Sequence, residues 1–179
     1  MNTITYSLLT EENFNENSLD DFMRHQVVAE RWRKNSVNEY VLVPEDYVYE
    51  WDLNQRRDVA RKIIKISTGN GFAYGAFCEG KVVGYILISN ETFGSDNQYI
   101  DLVLYHVSEP YRGCGIGKEL FKLACETARK NGAKKLYISA NSSKESQAAY
   151  RKMGCIYATE INQAKAEKEP DDVQMEYTL

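Results

Sequence analysis

Three glycines two residues apart, Gly113, Gly115 and Gly117, stand in the run YRGCGIGKEL at residues 111–120, directly ahead of an amphipathic helical pattern. The strand-like LVLYHV and the bend SEPY precede them, so the chain must turn sharply from strand into helix at this point. Glycine has no Cβ, which lets the backbone take positive φ and aim its amides inward. The helix that follows adds unpaired N–H groups and the positive end of its dipole. Such a turn predicts a phosphate cradle, and a pyrophosphate fits it.

Two familiar phosphate loops fail on spacing. A Walker A loop needs Gly, four residues, Gly-Lys and then Ser or Thr, but Arg112 stands at the first Gly and Glu119 follows Lys118. A dinucleotide fingerprint begun at Gly113 ends on Lys118, and one begun at Gly115 ends on Leu120. What remains is Arg-x-x-Gly-x-Gly.

The 179 residues suffice for one domain, read as 1–179, with a substantial core. A net charge of −4 argues against general nucleic-acid binding, which needs a basic face. Cys78, Cys114, Cys125 and Cys155 form no CxxC pair, and only His25 and His106 are available to complete a metal site, so no metal is expected. The stretch MNTITYSLLTEENF lacks a basic region followed by an apolar one, and nothing approaches the roughly 18 apolar residues of a membrane span. These features predict a cytoplasmic protein with reduced thiols and no membrane partner.

Residues 3–9 alternate as a first strand, followed by a polar turn or short helix at 10–17. Leu19, Phe22, Met23, Val27 and the Trp32 region recur at three- and four-residue steps, which predicts a helix capped by Ser18. A second helix is expected over 54–67, stopped by Gly69-Asn70-Gly71. Residues 72–78 and 81–89 read as a hairpin about Glu79-Gly80, and a fourth strand is expected from 98 or 99 to 107. After the glycine loop come a helix with the row Ile116, Leu120, Ala124 and Ala128, a strand at 135–140, and a helix begun by Ser142 with Glu145 as a capping box. Strands at 155–161 and 173–179 close the chain, separated by a charged linker at 162–172.

The Arg-x-x-Gly-x-Gly loop behind a strand and bend resembles the coenzyme A pyrophosphate loop of the GNAT superfamily of N-acetyltransferases. A second segment, SKESQAAYRKMGC at 143–155, resembles that family's N-x-x-A-x-x-x-Y-x-x-x-G-F helix, with Ser143 at the Asn place, Ser146 at the Ala, Tyr150 at the Tyr, Gly154 at the Gly and Cys155 at the Phe. The resemblance covers almost the whole chain. It implies an α/β (α+β) fold with a mixed, mostly antiparallel sheet of six to seven strands and about four helices, splayed between the fourth and fifth strands. It also implies a bulge in the fourth strand and acetyl-CoA as co-substrate, with Val107 giving main-chain hydrogen bonds to the pantetheine arm. Arg112, Gly113, Cys114, Gly115, Ile116, Gly117 and Lys118 form the pyrophosphate loop in this reading, and Ser143 and Ser146 join them from the second motif.

For acyl transfer from a thioester to an amine, the amine must lose a proton and the thiolate must gain or tolerate one. Tyr150 is the candidate acid, because the family's Tyr at this position aims its hydroxyl at the coenzyme sulfur. For the base, Asp101 stands on the fourth strand, where several of these enzymes carry a Glu that activates a water. It is expected to share a face with Val103, Tyr105 and Val107 if the bulge comes later. His106 and a water chain are the other options. Cys114 in the loop has no His near it in sequence, so direct attack suits the residues better than a ping-pong route.

The segment at 40–52 carries Tyr40, Asp46, Tyr47, Tyr49, Glu50, Trp51 and Asp52, a mixture that predicts a cationic amine as acceptor. The resulting expectation is an acetyl-CoA-dependent N-acetyltransferase acting on a primary amine of a small molecule or peptide. A non-catalytic coenzyme-A-binding sensor or interaction module, O-acylation, a longer acyl chain and homodimerisation all stay open.

Overall fold

The computed structural model describes residues 3–69 and 71–179; Met1, Asn2 and Asn70, the last of these part of the expected helix stop, lie outside the described residues. The strands are β1 Ile4–Leu8, β2 His25–Lys34, β3 Tyr40–Glu50, β4 Phe72–Cys78, β5 Lys81–Phe93, β6 Tyr99–Val107, β7 Lys135–Ala140, β8 Ile156–Tyr157 and β9 Val173–Thr178. Among them run the helices α1 Leu53–Thr68, α2 Ile116–Lys130, α3 Lys144–Lys152 and α4 Gln163–Lys168. Seven strands make one sheet in the order β1-β4-β5-β6-β7-β9-β8, and β2 and β3 form a separate antiparallel ribbon. Only the β6–β7 pair of the large sheet is parallel. This is the mixed, mostly antiparallel α+β sheet that the two motifs imply.

Local chemistry accounts for most elements. Glu79 and Gly80 both take positive φ, 50° and 77°, giving the two-residue turn that joins twisted antiparallel strands β4 and β5. Asp52 caps α1 by accepting from the Gln55 backbone N–H at 2.9 Å, while the Gln55 side chain accepts from the Asp52 N–H. The predicted row Ile116, Leu120, Ala124 and Ala128 is buried, and packs α2 on the sheet face that carries Ile86, Ile88, Ile100 and Leu102. Ala60 and Ile63 of α1 cover the opposite face with Leu19, Phe22, Tyr85 and Leu87.

Three expectations need correction. No helix forms over residues 18–32: the chain turns repeatedly up to Asp21 and then enters β2. Leu19 and Phe22 do reach the core at their helical spacing, but from turns. Val27 and Val28, β-branched, find a ladder partner in the equally β-branched and aromatic 40–50 segment, and that pairing overrides the helical pattern. The cap of α3 is Ser143, whose Oγ accepts from the Ser146 N–H at 3.3 Å, one residue later than the predicted Ser142. The linker at 162–172 contains α4, capped by Asn162, whose side chain accepts from the Lys165 N–H.

Candidate active site

Strands β6 and β7 pair only from Tyr99 with Lys135 to Leu102 with Ile138 and then part, which is the predicted splay. At the same point β6 bulges: Leu104 faces Leu87 and Leu102 faces Ile88, leaving Val103 as the extra residue. The bulge falls before Tyr105, so Asp101 does not share a face with Tyr105 and Val107 as expected. Tyr105 and Val107 lie with Ile100 and Leu102 toward α2, whereas Val103 and Leu104 belong to the opposite core.

The Ser108 N–H donates to the Val83 carbonyl at 2.9 Å, so Val107 and Gly84 are a non-hydrogen-bonded pair. The N–H and C=O of Val107 therefore face away from β5, into the opening, and by alternation so do those of Tyr105. An extended arm lying in the splay meets the Val107 N–H and the main-chain groups of Tyr105 there, the Val107 carbonyl being taken by Arg112 Nε.

Ribbon strand β2 crosses the opening. At one side the Met23 N–H donates to Ser108 Oγ at 3.0 Å and the Glu109 N–H to the Met23 carbonyl at 3.0 Å. At the other, the Trp32 N–H donates to the Ser142 carbonyl at 2.8 Å and Gln26 Nε2 to Ser143 Oγ at 3.0 Å. Beneath it lies a cleft of about 740 Å³, lined among others by Arg24, His106, Val107, Arg112, Tyr150 and Asp172.

Arg112, which lines this cleft, leads directly into the glycine turn, whose own residues 113–117 are not part of the lining. Gly113 and Gly115 take φ of 78° and 83°, Gly115 is the left-handed cap of α2, and a Cβ on either would meet no atom within 4 Å, so the turn has room above it for a ligand. Gly117 differs from expectation, because it lies inside α2 and a Cβ there would stand 2.5 Å from Tyr105 Oη. Its smallness serves packing against Tyr105. Cys114 and Lys118 are exposed, and Ile116 is buried, so its side chain belongs to the core and only its N–H heads the helix. Arg112 bridges β6 and the ribbon: Nε donates to the Val107 carbonyl at 3.1 Å and Nη1 to the His25 carbonyl at 2.7 Å.

Tyr150 lines the cleft from α3, its ring 6.1 Å from that of Tyr105. Burial, with Tyr105, Cys155 and Asp172 nearby, pushes its hydroxyl well above the usual phenol range, so it stays protonated. Ser143 is buried and donates its Oγ hydrogen to Ser146 Oγ at 2.8 Å, and Ser146 lines the cleft.

The two base candidates fare differently from expectation. Asp101 is buried, does not line the cleft, and accepts from Lys165 Nζ at 2.5 Å; burial raises its carboxyl in spite of that partner. His106 lines the cleft between Trp51 and Tyr85, at centroid distances of 5.0 and 5.7 Å. Burial, with the cations Arg24, Arg112 and Lys62, pushes its imidazole down to about 3, which makes it a poor proton acceptor. A third group was hidden in the segment read as a linker: Asp172 lines the cleft, and burial with Glu169 beside it pushes its carboxyl up to about 6. Only its place before β9 could have drawn attention to it in the sequence.

The acidic side chains of the 40–52 segment do not line the cleft. Asp52 is the cap of α1, Glu50 stands 3.9 Å from His25 and Asp46 is exposed. Its aromatic residues do approach, since Tyr49 Oη accepts from Asn141 Nδ2 at 2.8 Å and Trp51 packs on His106.

The strand order, the splay with its bulge, and the glycine turn at the head of α2 together define an α+β acetyltransferase fold. The sequence model of the Acetyltransferase (GNAT) family matches residues 25–155, and the chain belongs to that family. The structure is similar to that of nourseothricin acetyltransferase, with a TM-score of 0.68 at 18% identity over 98% of each chain. A putative streptothricin acetyltransferase from Bacillus anthracis str. Ames, in complex with acetyl coenzyme A, gives 0.61 at 20% identity, covering 99% of this chain and 97% of that one. PaiA N-acetyltransferase from Thermoplasma acidophilum, in complex with coenzyme A, gives 0.60 at 16% identity over 99% of each. No curated protein sequence matches the chain. Among the described residues, no helix is long and apolar enough to cross a membrane.

Proposed function

We propose that this protein is an acetyl-CoA-dependent N-acetyltransferase that passes the acetyl group directly to a primary amine of a small molecule or peptide. The observation that carries this reading is the continuity of one cleft. It joins the main-chain edge at Tyr105 and Val107 and the Arg112 that leads into the roomy glycine turn at 113–115 with a protonated Tyr150 on the facing helix. In this reading Val107 and Tyr105 hold the pantetheine arm and the amides of 113–117 face the pyrophosphate. That a structural relative of the same fold was solved in complex with acetyl coenzyme A supports acetyl-CoA as the co-substrate.

The amine attacks the thioester carbonyl, the C–S bond breaks, and two protons must be managed. Tyr150 donates its hydroxyl hydrogen toward the sulfur as negative charge builds there. Asp172, ionised above about pH 6, takes the proton leaving the amine, directly or through a water. It replaces Asp101, whose carboxylate is engaged by Lys165 away from the cleft. Cys114 is exposed, its thiol directed to the Arg112 carbonyl at 3.7 Å, and takes no part in a direct transfer.

The test is a panel of aminoglycosides, polyamines, amino acids and peptides with acetyl-CoA, following free thiol. Amine-dependent thiol release is expected with at least one class. Acetyl-CoA binding by calorimetry without thiol release from any acceptor would instead identify a coenzyme-A-binding module.

A further inference from the structure

Arg24, at the entry to β2, is 8% exposed and lines the cleft beside His106. Its guanidinium lies over two rings: Cζ is 5.2 Å from the Tyr49 ring centroid and 5.7 Å from that of Trp51. Nε and Nη1 are both buried without a hydrogen-bond partner, and among the described residues no carboxylate pairs with this side chain. The charges felt by Arg24 include another cation, Arg112, and the polar rings Tyr85 and Tyr49, with no acid among them. Tyr85 Oη, close by, is a further buried polar atom with no partner.

A buried cation without an acid is costly, and stacking on two rings does not replace the hydrogen bonds its edge has lost. Nε and Nη1 belong to different edges of the fork, so a two-oxygen anion can take either one together with Nη2, while Tyr49 and Trp51 keep the guanidinium from swinging away. Tyr49 is itself fixed to the far side of the splay through Asn141. The cleft is the side from which a ligand reaches Arg24. Arg24 packs with His106 and Tyr85 on the sheet face opposite α2, and Arg112, which bonds the adjacent His25 carbonyl, is the nearest cation named among its neighbours.

Resting on the acetyl-transfer reading above, we infer that the amine acceptor carries a carboxylate, which Arg24 receives on the side of the cleft lined by His106. The acceptor class is thus an amino acid or an amine bearing an equivalent acid group. The sequence-based expectation of an acceptor drawn in by Asp46, Glu50 and Asp52 gives way to recognition of the acceptor's anionic end.

The product side of the reaction supplies a probe that needs no turnover. Trp51 lies against both Arg24 and His106, so its fluorescence reports occupancy. With coenzyme A present, N-acetylglycine, N-acetyl-β-alanine and N-acetylaspartate should be titrated against their amides. At least one acid should bind about tenfold or more tightly than its amide, as expected for loss of a charge-assisted pair in a buried site. Arg24→Gln should erase that preference, and Arg24→Lys should retain part of it. Equal affinity of acid and amide in every pair, or no binding of any acid, overturns the inference using the wild-type protein alone. A weakening of acetyl-CoA binding by Arg24→Gln, with the acid preference intact, overturns it in favour of a role at the coenzyme phosphates. In the parallel thiol-release assay each amino acid is compared with its decarboxylated amine, the amino acid being expected to be the better acceptor. Absence of release with every acceptor, alongside a persistent acid preference, would remove the transferase reading and leave the carboxylate site standing.

Discussion

Asp101 on β6 and Lys165 on α4 meet at 2.5 Å between Oδ2 and Nζ, so the strand that borders the cleft is tied to a short helix 64 residues later. The lysine is 32% exposed at its side chain and the aspartate 9%. Lys165→Met should therefore lower the unfolding free energy by about 1–3 kcal/mol, below the full cost of orphaning a deeply buried charge because solvent reaches the pair. Adding Asp101→Asn should recover much of the loss in urea titrations. Asp101→Asn alone should leave kcat little changed, whereas a large fall in kcat at unchanged stability would return Asp101 to the role of base.

Tyr150→Phe removes only a hydroxyl from a ring that packs near Tyr105. Turnover on the best acceptor should fall by about 10²-fold, the lower range for loss of a general acid, with the calorimetric Kd for acetyl-CoA unchanged. Wild-type turnover in this variant would make Tyr150 a packing residue.

Asp172 predicts opposite effects of pH on activity and stability. Burial raises its folded carboxyl to about 6, above its unfolded value, so the folded state keeps the proton longer than the unfolded chain does. Its contribution to stability is therefore fully present at low pH and declines as pH rises to about 6, while the ionised base needed for transfer appears over the same rise. Asp172→Asn should flatten the acid limb of kcat/KM and make the protein more stable than wild type at pH 7. Urea midpoints and pH–rate profiles measured from pH 5 to pH 8 check both. An unchanged acid limb removes Asp172 from the mechanism.

Gly115 in the turn and Gly117 in the first turn of α2 should separate experimentally. Gly115→Ala faces open space but forces a side chain onto φ of 83°, a strain of about 1–2 kcal/mol that reshapes the turn, so acetyl-CoA affinity should fall with modest loss of stability. Gly117→Ala drives a methyl against Tyr105 Oη and should cost about 1–3 kcal/mol in unfolding, as overpacking does. Calorimetry and denaturant curves on the two variants distinguish a ligand-facing glycine from a packing one.

What could be read from the sequence was the chemistry that depends on neighbours in the chain. The glycine turn, the hairpin at Glu79-Gly80 and the apolar row of α2 are each written within a few residues, and each is found where expected. The 18–32 segment misled because Leu19 and Phe22 are spaced like a helix, yet their partners are the distant Tyr85 and Leu87. Likewise the bulge at Val103 comes from how β5 pairs with β6, and it reversed the face assigned to Asp101. Arg24 carried no signal at all in sequence, since a missing partner exists only once the chain has folded around it.

Because the chain is fastened to Ser108 at Met23, just before β2, and to Ser142 at Trp32 within it, the gap is braced as a lintel braces a doorway. Its width is set when the chain folds, before any coenzyme arrives. The entropy of ordering that entrance is thus charged to folding, and a molecule threading beneath the crosspiece has little of the protein left to organise. The heat-capacity change on acetyl-CoA binding should then match the apolar surface the coenzyme itself covers, with no added component from a segment becoming ordered.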